Sequence, residues 1–120
     1  MEEADLFKAF SDPIRLRLAA LLAIRGETCV CVLGQALGEP DFKISRALGV
    51  LRRAGAVLAR REGTWMHYRI AEPRGPLEKC LQKCFRSCFN DLPDVRSDLA
   101  RVARAKPAGT GICAKRGRKR

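Results

Sequence analysis

The stretch from Cys29 to Gly55, CVCVLGQALGEPDFKISRALGVLRRAG, constrains the fold more than any other, because apolar residues keep helical register on both sides of one short break. Val30, Leu33 and Leu37 recur at i, i+3 and i+7, the stripe of a first helix. Gly38, Glu39 and Pro40 interrupt it, and a proline just ahead of a helix suits the missing N–H. Asp41 is placed to cap a second helix whose buried stripe is Ile44, Ala47, Leu48, Leu51 and Ala54. Gly55 follows, where helices commonly stop.

Turned by roughly 100° per residue, the second helix presents Phe42, Ser45, Arg46, Gly49 and Arg53 on its other side, flanked by Lys43 and Arg52. Cations suit phosphate or guanine, an apolar edge suits a thymine methyl, and glycine permits close approach. Taken alone, such a face describes any solvated basic helix. Preceded by a helix and a tight turn, it describes a helix-turn-helix whose second helix enters the major groove. The expected contacts to double-stranded DNA on this helix are Phe42, Lys43, Ser45, Arg46 and Arg53.

After Gly55 the period changes. Residues 56–60 (AVLAR) and 64–70 (TWMHYRI) read as strands, with Glu62 and Gly63 as the two-residue turn between them. Met66, Tyr68 and Ile70 alternate with Trp65, His67 and Arg69, so one set faces the core. A basic hairpin directly after a helix-turn-helix is the wing of a winged helix. Arg60 and Arg61 are its expected contacts to phosphate or the minor groove. His67 reads as a hydrogen-bonded strand residue rather than a metal ligand.

Upstream, Leu6, Phe7, Ala9 and Phe10 suggest a short first helix. A second follows with Asp12 as N-cap, Pro13 at its first position, Ile14, Leu18, Leu21 and Leu22 as its stripe, and Gly26 just past its end. Arg15 and Arg17 lie off that stripe, either solvated or within reach of the DNA backbone. Downstream of the break at residues 72–76, Leu77, Cys80, Leu81, Cys84, Phe85 and Cys88 form one broad apolar helix face. A face so apolar near the end of a small domain needs cover, and a second subunit is the economical choice. Asp91 and Pro93 open a last helix over residues 94–105. The expected fold is therefore mainly α with a β-hairpin wing: a dimeric winged helix-turn-helix over residues 1–105, followed by a basic disordered tail, 106–120.

The charge distribution points to a polyanionic partner. Of a net +11, residues 1–40 contribute four basic and six acidic side chains, residues 41–74 eight and three, and the last fifteen six and none. The excess lies on the reading head and the tail, which favours nucleic acid over an anionic membrane. No uninterrupted apolar run is long enough to span a bilayer. The acidic start, MEEADLF, has no hydrophobic segment, which argues against a secretory signal and for a cytoplasmic protein.

Six cysteines in such a setting are expected as thiols rather than as a disulfide framework. A single histidine excludes the usual two-His zinc spacings and leaves little for hydrolytic catalysis, so no enzyme is expected. The remaining enzyme reading, a small thiol-dependent oxyanion reductase, wants a nucleophilic cysteine in a βαβ setting, and no such pattern appears.

LFKAFSDPIRLRLAALL, ETCVCVLGQAL, KISRALGVLRRAG and REGTWMHYRI together resemble, in order over about residues 5–72, the ArsR family of metal-responsive winged-helix repressors, above all its arsenic-sensing members. The resemblance implies a homodimer that represses a detoxification operon and leaves operator DNA on binding arsenite or antimonite. It also implies that Cys29 and Cys31 are the ligands. The arsenic-sensing pattern has an acidic residue where this chain has Val32, and a third cysteine where it has Gly34.

Elementary chemistry agrees with the pair, since soft thiolates suit thiophilic ions. In a regular helix residues two apart point about 200° from each other, so Cys29 and Cys31 converge only if Cys29 precedes the helix or sits in a distorted first turn. A helix N-terminus also favours thiolate over thiol. The missing third ligand is either exogenous or one of Cys80, Cys84, Cys88 and Cys113. The three helical ones read equally well as small apolar residues in a dimer seam. A repressor of the same fold that senses cadmium, lead, zinc or thiol oxidation is the alternative.

Overall fold

The computed structural model describes residues 1–105; the basic tail, with Cys113 and the disorder expected of it, lies outside the described residues. Along the chain run α1 (Glu2–Phe10), α2 (Pro13–Arg25), β1 (Thr28–Cys29), α3 (Val30–Leu37), α4 (Asp41–Arg53), β2 (Val57–Glu62), β3 (Trp65–Ile70), α5 (Pro76–Cys88), a 3-10 turn (Phe89–Asp91) and α6 (Pro93–Arg104). The three strands form one antiparallel sheet in the order β1-β3-β2. This is a winged helix-turn-helix. Among the described residues no helix is long and apolar enough to cross a membrane.

The signals at the ends of α2 act as read. The Asp12 carboxylate accepts the Arg15 N–H at 3.1 Å, Pro13 opens the helix, and Gly26 lies past its end at φ 90°. Leu18, Leu21 and Leu22 are buried, Ile14 partly so. With Leu33, Ile44, Leu48, Leu51 and Val57 they form the fully buried centre of the core. Each such side chain contributes about 1.5–3 kcal/mol by leaving water.

Two boundaries shift by one residue. Pro40, not Asp41, is the N-cap of α4; its ring fixes φ at −67°, and Asp41 becomes the first helical residue with no side-chain cap bond. Its carboxylate sits in the first turn, where the helix dipole favours it. In the wing Glu62 pairs with Trp65, so the turn is Gly63-Thr64, and Gly63 takes the positive φ (64°) at its first position.

The larger departure is the cover on α3. Every residue of that helix except Gln35 is buried, not only the expected stripe, because α6 packs across it and across α2. Helix α5 divides the other way. Phe85 alone is buried and Leu81 is half-buried, whereas Leu77, Cys80, Cys84 and Cys88 are exposed. The single broad face expected there is two faces, one turned to the core and one outward.

Candidate thiol sensor and nucleic-acid interface

Cys29 ends β1 in an extended conformation, φ −74° and ψ 147°, and is the N-cap of α3; Cys31 is that helix's second residue. Because Cys29 is not helical, its side chain does not diverge from that of Cys31, and the two Sγ atoms lie 3.3 Å apart. Both residues are 6% exposed, so a ligand would meet two converged sulfurs at the edge of the core. Across the sheet Cys29 pairs with His67, whose Nε2 lies 3.3 Å from Glu62 Oε1.

The tight turn fills the place a third thiol would need. The Gly38 and Glu39 N–H groups both return to the Gly34 carbonyl, at 2.8 and 3.1 Å. A Cβ on Gly34 would meet Asp41 Oδ1 at 2.8 Å and the Glu39 carbonyl at 3.0 Å. Glycine is what lets the loop close onto α3. Cys80, Cys84 and Cys88 are exposed on α5, and among the described residues no three His, Cys, Asp or Glu side chains gather at one point.

The far end of α3 is clamped. Arg101 of α6 donates from Nε to the Ala36 carbonyl, a group the helix end leaves without an intrahelical partner, and from Nη2 to Asp98 Oδ1 at 2.8 Å. Asp98 is fully buried and also receives Arg17 of α2 bidentately, at 2.8 and 2.7 Å. That bond raises the Arg17 pKa above its ordinary value, against the opposing effect of burial. Arg17 is therefore a structural ion-pair partner, and Arg15 Nε donates to the Ala9 carbonyl at 2.7 Å. Sequence reasoning could not find this network, since Arg17 and Asp98 are 81 residues apart and each looks like an ordinary surface charge.

On α4 the residues expected to face DNA stand outward: Phe42 is 62% exposed, and Lys43, Ser45, Arg46 and Arg53 are exposed. Lys43 lies 3.4 Å from Glu39, while Arg46 and Arg53 form no ion pair among the described residues. In the wing Arg61 is exposed and likewise without one, but Arg60 is held by Glu27.

A buried two-helix reading head with an exposed basic second helix and an adjoining basic hairpin defines a DNA-binding transcriptional regulator. Known proteins agree. The chain is 48% identical over 71 residues, 59% of its length and 80% of the relative's, to an uncharacterized HTH-type transcriptional regulator of Methanocaldococcus jannaschii. The solution structure of the homodimeric winged helix-turn-helix DNA-binding domain of a possible ArsR-family transcriptional regulator of Mycobacterium bovis superimposes with a TM-score of 0.59 at 34% identity, covering 70% of this chain and 71% of that one. The chain belongs to the ArsR family of transcriptional regulators. It is 47% identical over 67 residues to the arsenical resistance operon repressor of Escherichia coli, 56% of this chain and 57% of that one. A cadmium resistance regulatory protein homolog of Staphylococcus aureus matches at 34% over 68 residues, 57% and 56% of the two chains. The chain thus spans just over half the length of the metal-resistance relatives. No family model matches it.

Proposed function

We propose that this regulator is a cytoplasmic metalloid-responsive repressor: it binds operator DNA as a homodimer and is released when arsenite or antimonite binds Cys29 and Cys31. The observation that carries the reading is the 3.3 Å approach of the two sulfurs at the first turn of α3. A ligand that draws them into a fixed geometry acts on the helix that packs directly against α4, the reading helix. It need only prefer the altered arrangement by a few kcal/mol to shift the population off DNA. The third coordination position falls to an exogenous donor, or to a cysteine of α5 or the tail brought in from elsewhere in the dimer.

In this reading Phe42, Lys43, Ser45, Arg46 and Arg53 face the major groove and Arg61 reaches the backbone beside it. The exposed stripe of α5, with Leu77, Cys80, Cys84 and Cys88, meets its symmetry mate. Half-sites then lie roughly one helical turn, about 34–36 Å, apart. Residues 106–120 act as a basic tail that adds sequence-independent attraction. The cadmium-resistance relative and the three α5 thiols favour a second reading, in which a softer divalent ion is the inducer.

Labelled operator DNA titrated with arsenite, antimonite, cadmium and zinc under reducing conditions tests both. Release by micromolar arsenite or antimonite alone supports the first reading, and release by cadmium alone supports the second. In the same assay Arg46→Ala should erode discrimination between operator and random DNA, by roughly 1–3 kcal/mol at one base position.

A further inference from the structure

The two consecutive arginines of the wing occupy opposite electrostatic settings. Arg61 projects outward with no ion pair among the described residues. Arg60 donates from Nε and Nη2 to both carboxylate oxygens of Glu27, at 2.8–3.2 Å, while its Nη1 lies 3.6 Å from Glu62 Oε1. All three of its guanidinium nitrogens therefore face carboxylates.

The register gives this pair its meaning. Arg60 lies beside His67, and His67 beside Cys29, so the three form one rung across β2, β3 and β1. Glu27 is two residues before Cys29, at the bend that leads into β1, with its carboxylate turned to Arg60. The Glu27–Arg60 bond thus reaches past the central strand and joins β2 to the bend that enters β1, a span of about 10 Å at the usual strand spacing. Strand β1 is only two residues long, so its own ladder holds it lightly. An exposed ion pair adds little stability, but a bidentate one fixes geometry.

We infer that Glu27 and Arg60 form a strut between the thiol-bearing turn and the wing. Arg60 is a positioning residue and not a phosphate contact. Glu27 is the group through which displacement of Cys29 reaches the hairpin, a second route to DNA beside the one through α3 and α4. The strut stands on geometry alone; the coupling rests on the proposed thiol-sensing function.

Operator binding measured against salt separates the arginines. Removing a side chain that neutralises one phosphate lowers the log–log slope by about one. Arg61→Gln should show that decrease and Arg60→Gln should not. Glu27→Gln should steepen the slope by about one, because the freed guanidinium finds phosphate, and adding Arg60→Gln should restore the parent value. A slope reduced in Arg60→Gln as much as in Arg61→Gln overturns the strut.

For the coupling, arsenite binding to the full-length protein and arsenite-driven release are titrated separately. Glu27→Gln should bind arsenite as the parent does yet need roughly tenfold more for release, a typical coupling magnitude. Equal release midpoints overturn the coupling. A parent that binds no arsenite sinks the sensing function and the coupling with it, while the salt slopes still judge the strut.

Discussion

Two groups of cysteines share this chain under opposite conditions. Cys29 and Cys31 are buried, two positions apart in sequence, with their sulfurs brought together by a break from strand to helix. Cys80, Cys84 and Cys88 are exposed, one helical turn apart, on a helix that turns only Phe85 fully to its own core. Local desolvation and the neighbouring Cys88 thiol push the Cys84 thiol above its ordinary pKa. In the proposed function, placement rather than number decides which cysteines act on the reading head. The buried pair straddles the start of a helix that packs against α4 and α6, so a change there is felt by packed neighbours. A change on the outer face of α5 is felt first by whatever covers that face.

The most forceful way to break the contrast is to undo what buries α3. Asp98→Ala leaves Arg17 without its carboxylate and frees Arg101, and should cost about 1.5–3 kcal/mol of stability, the worth of charge-assisted hydrogen bonds whose part-exposed arginines can turn to water. Urea unfolding measures it; a loss under about 1 kcal/mol would mean that α6 does not hold α3 in the way described. Gly34→Ala comes next. Its methyl group meets Asp41 and the Glu39 carbonyl, so it should cost about 1–3 kcal/mol by overpacking, in the same unfolding experiment. An unchanged midpoint would show that the turn can open enough to take a third thiol. The smallest effect lies on α5. In protein diluted enough to dissociate the dimer, alkylation of Cys84 by iodoacetamide should rise with pH through a midpoint above that of an ordinary thiol, and Cys88→Ala should lower that midpoint. A midpoint at the ordinary value, insensitive to Cys88, would erase this part of the difference.

Much of the buried site was legible in the sequence, and the reasons are local. Helix periodicity found the stripe of α4, and Asp12, Pro13 and Gly26 marked the ends of α2. Helix geometry lets the two sulfurs converge only if Cys29 precedes the helix or sits in a distorted first turn, and of these the structure has the first: Cys29 is the extended N-cap. The misplaced features have equally physical causes. Pro40 and Asp41 both suit a helix start, and only the backbone angles show which is the cap. Glu62-Gly63 and Gly63-Thr64 each place glycine in the turn, and cross-strand register chooses between them. Strand β1 is too short to show alternation. Asp98 and the pairing of Arg60 with Glu27 depend on residues far apart in the chain, which no window of sequence brings together.

The central claim is that the buried pair, and not the exposed stripe, is the sensor. Arsenite titration of the operator complex decides it, using Cys29→Ser, Cys31→Ser and the triple variant Cys80→Ser, Cys84→Ser, Cys88→Ser. The account predicts that all three repress as the parent does, that neither single variant is released by arsenite, and that the triple variant is released with at most a modest shift. Release of both Cys29→Ser and Cys31→Ser at the parent's midpoint, with loss of release in the triple variant, would contradict it and move the sensor to α5.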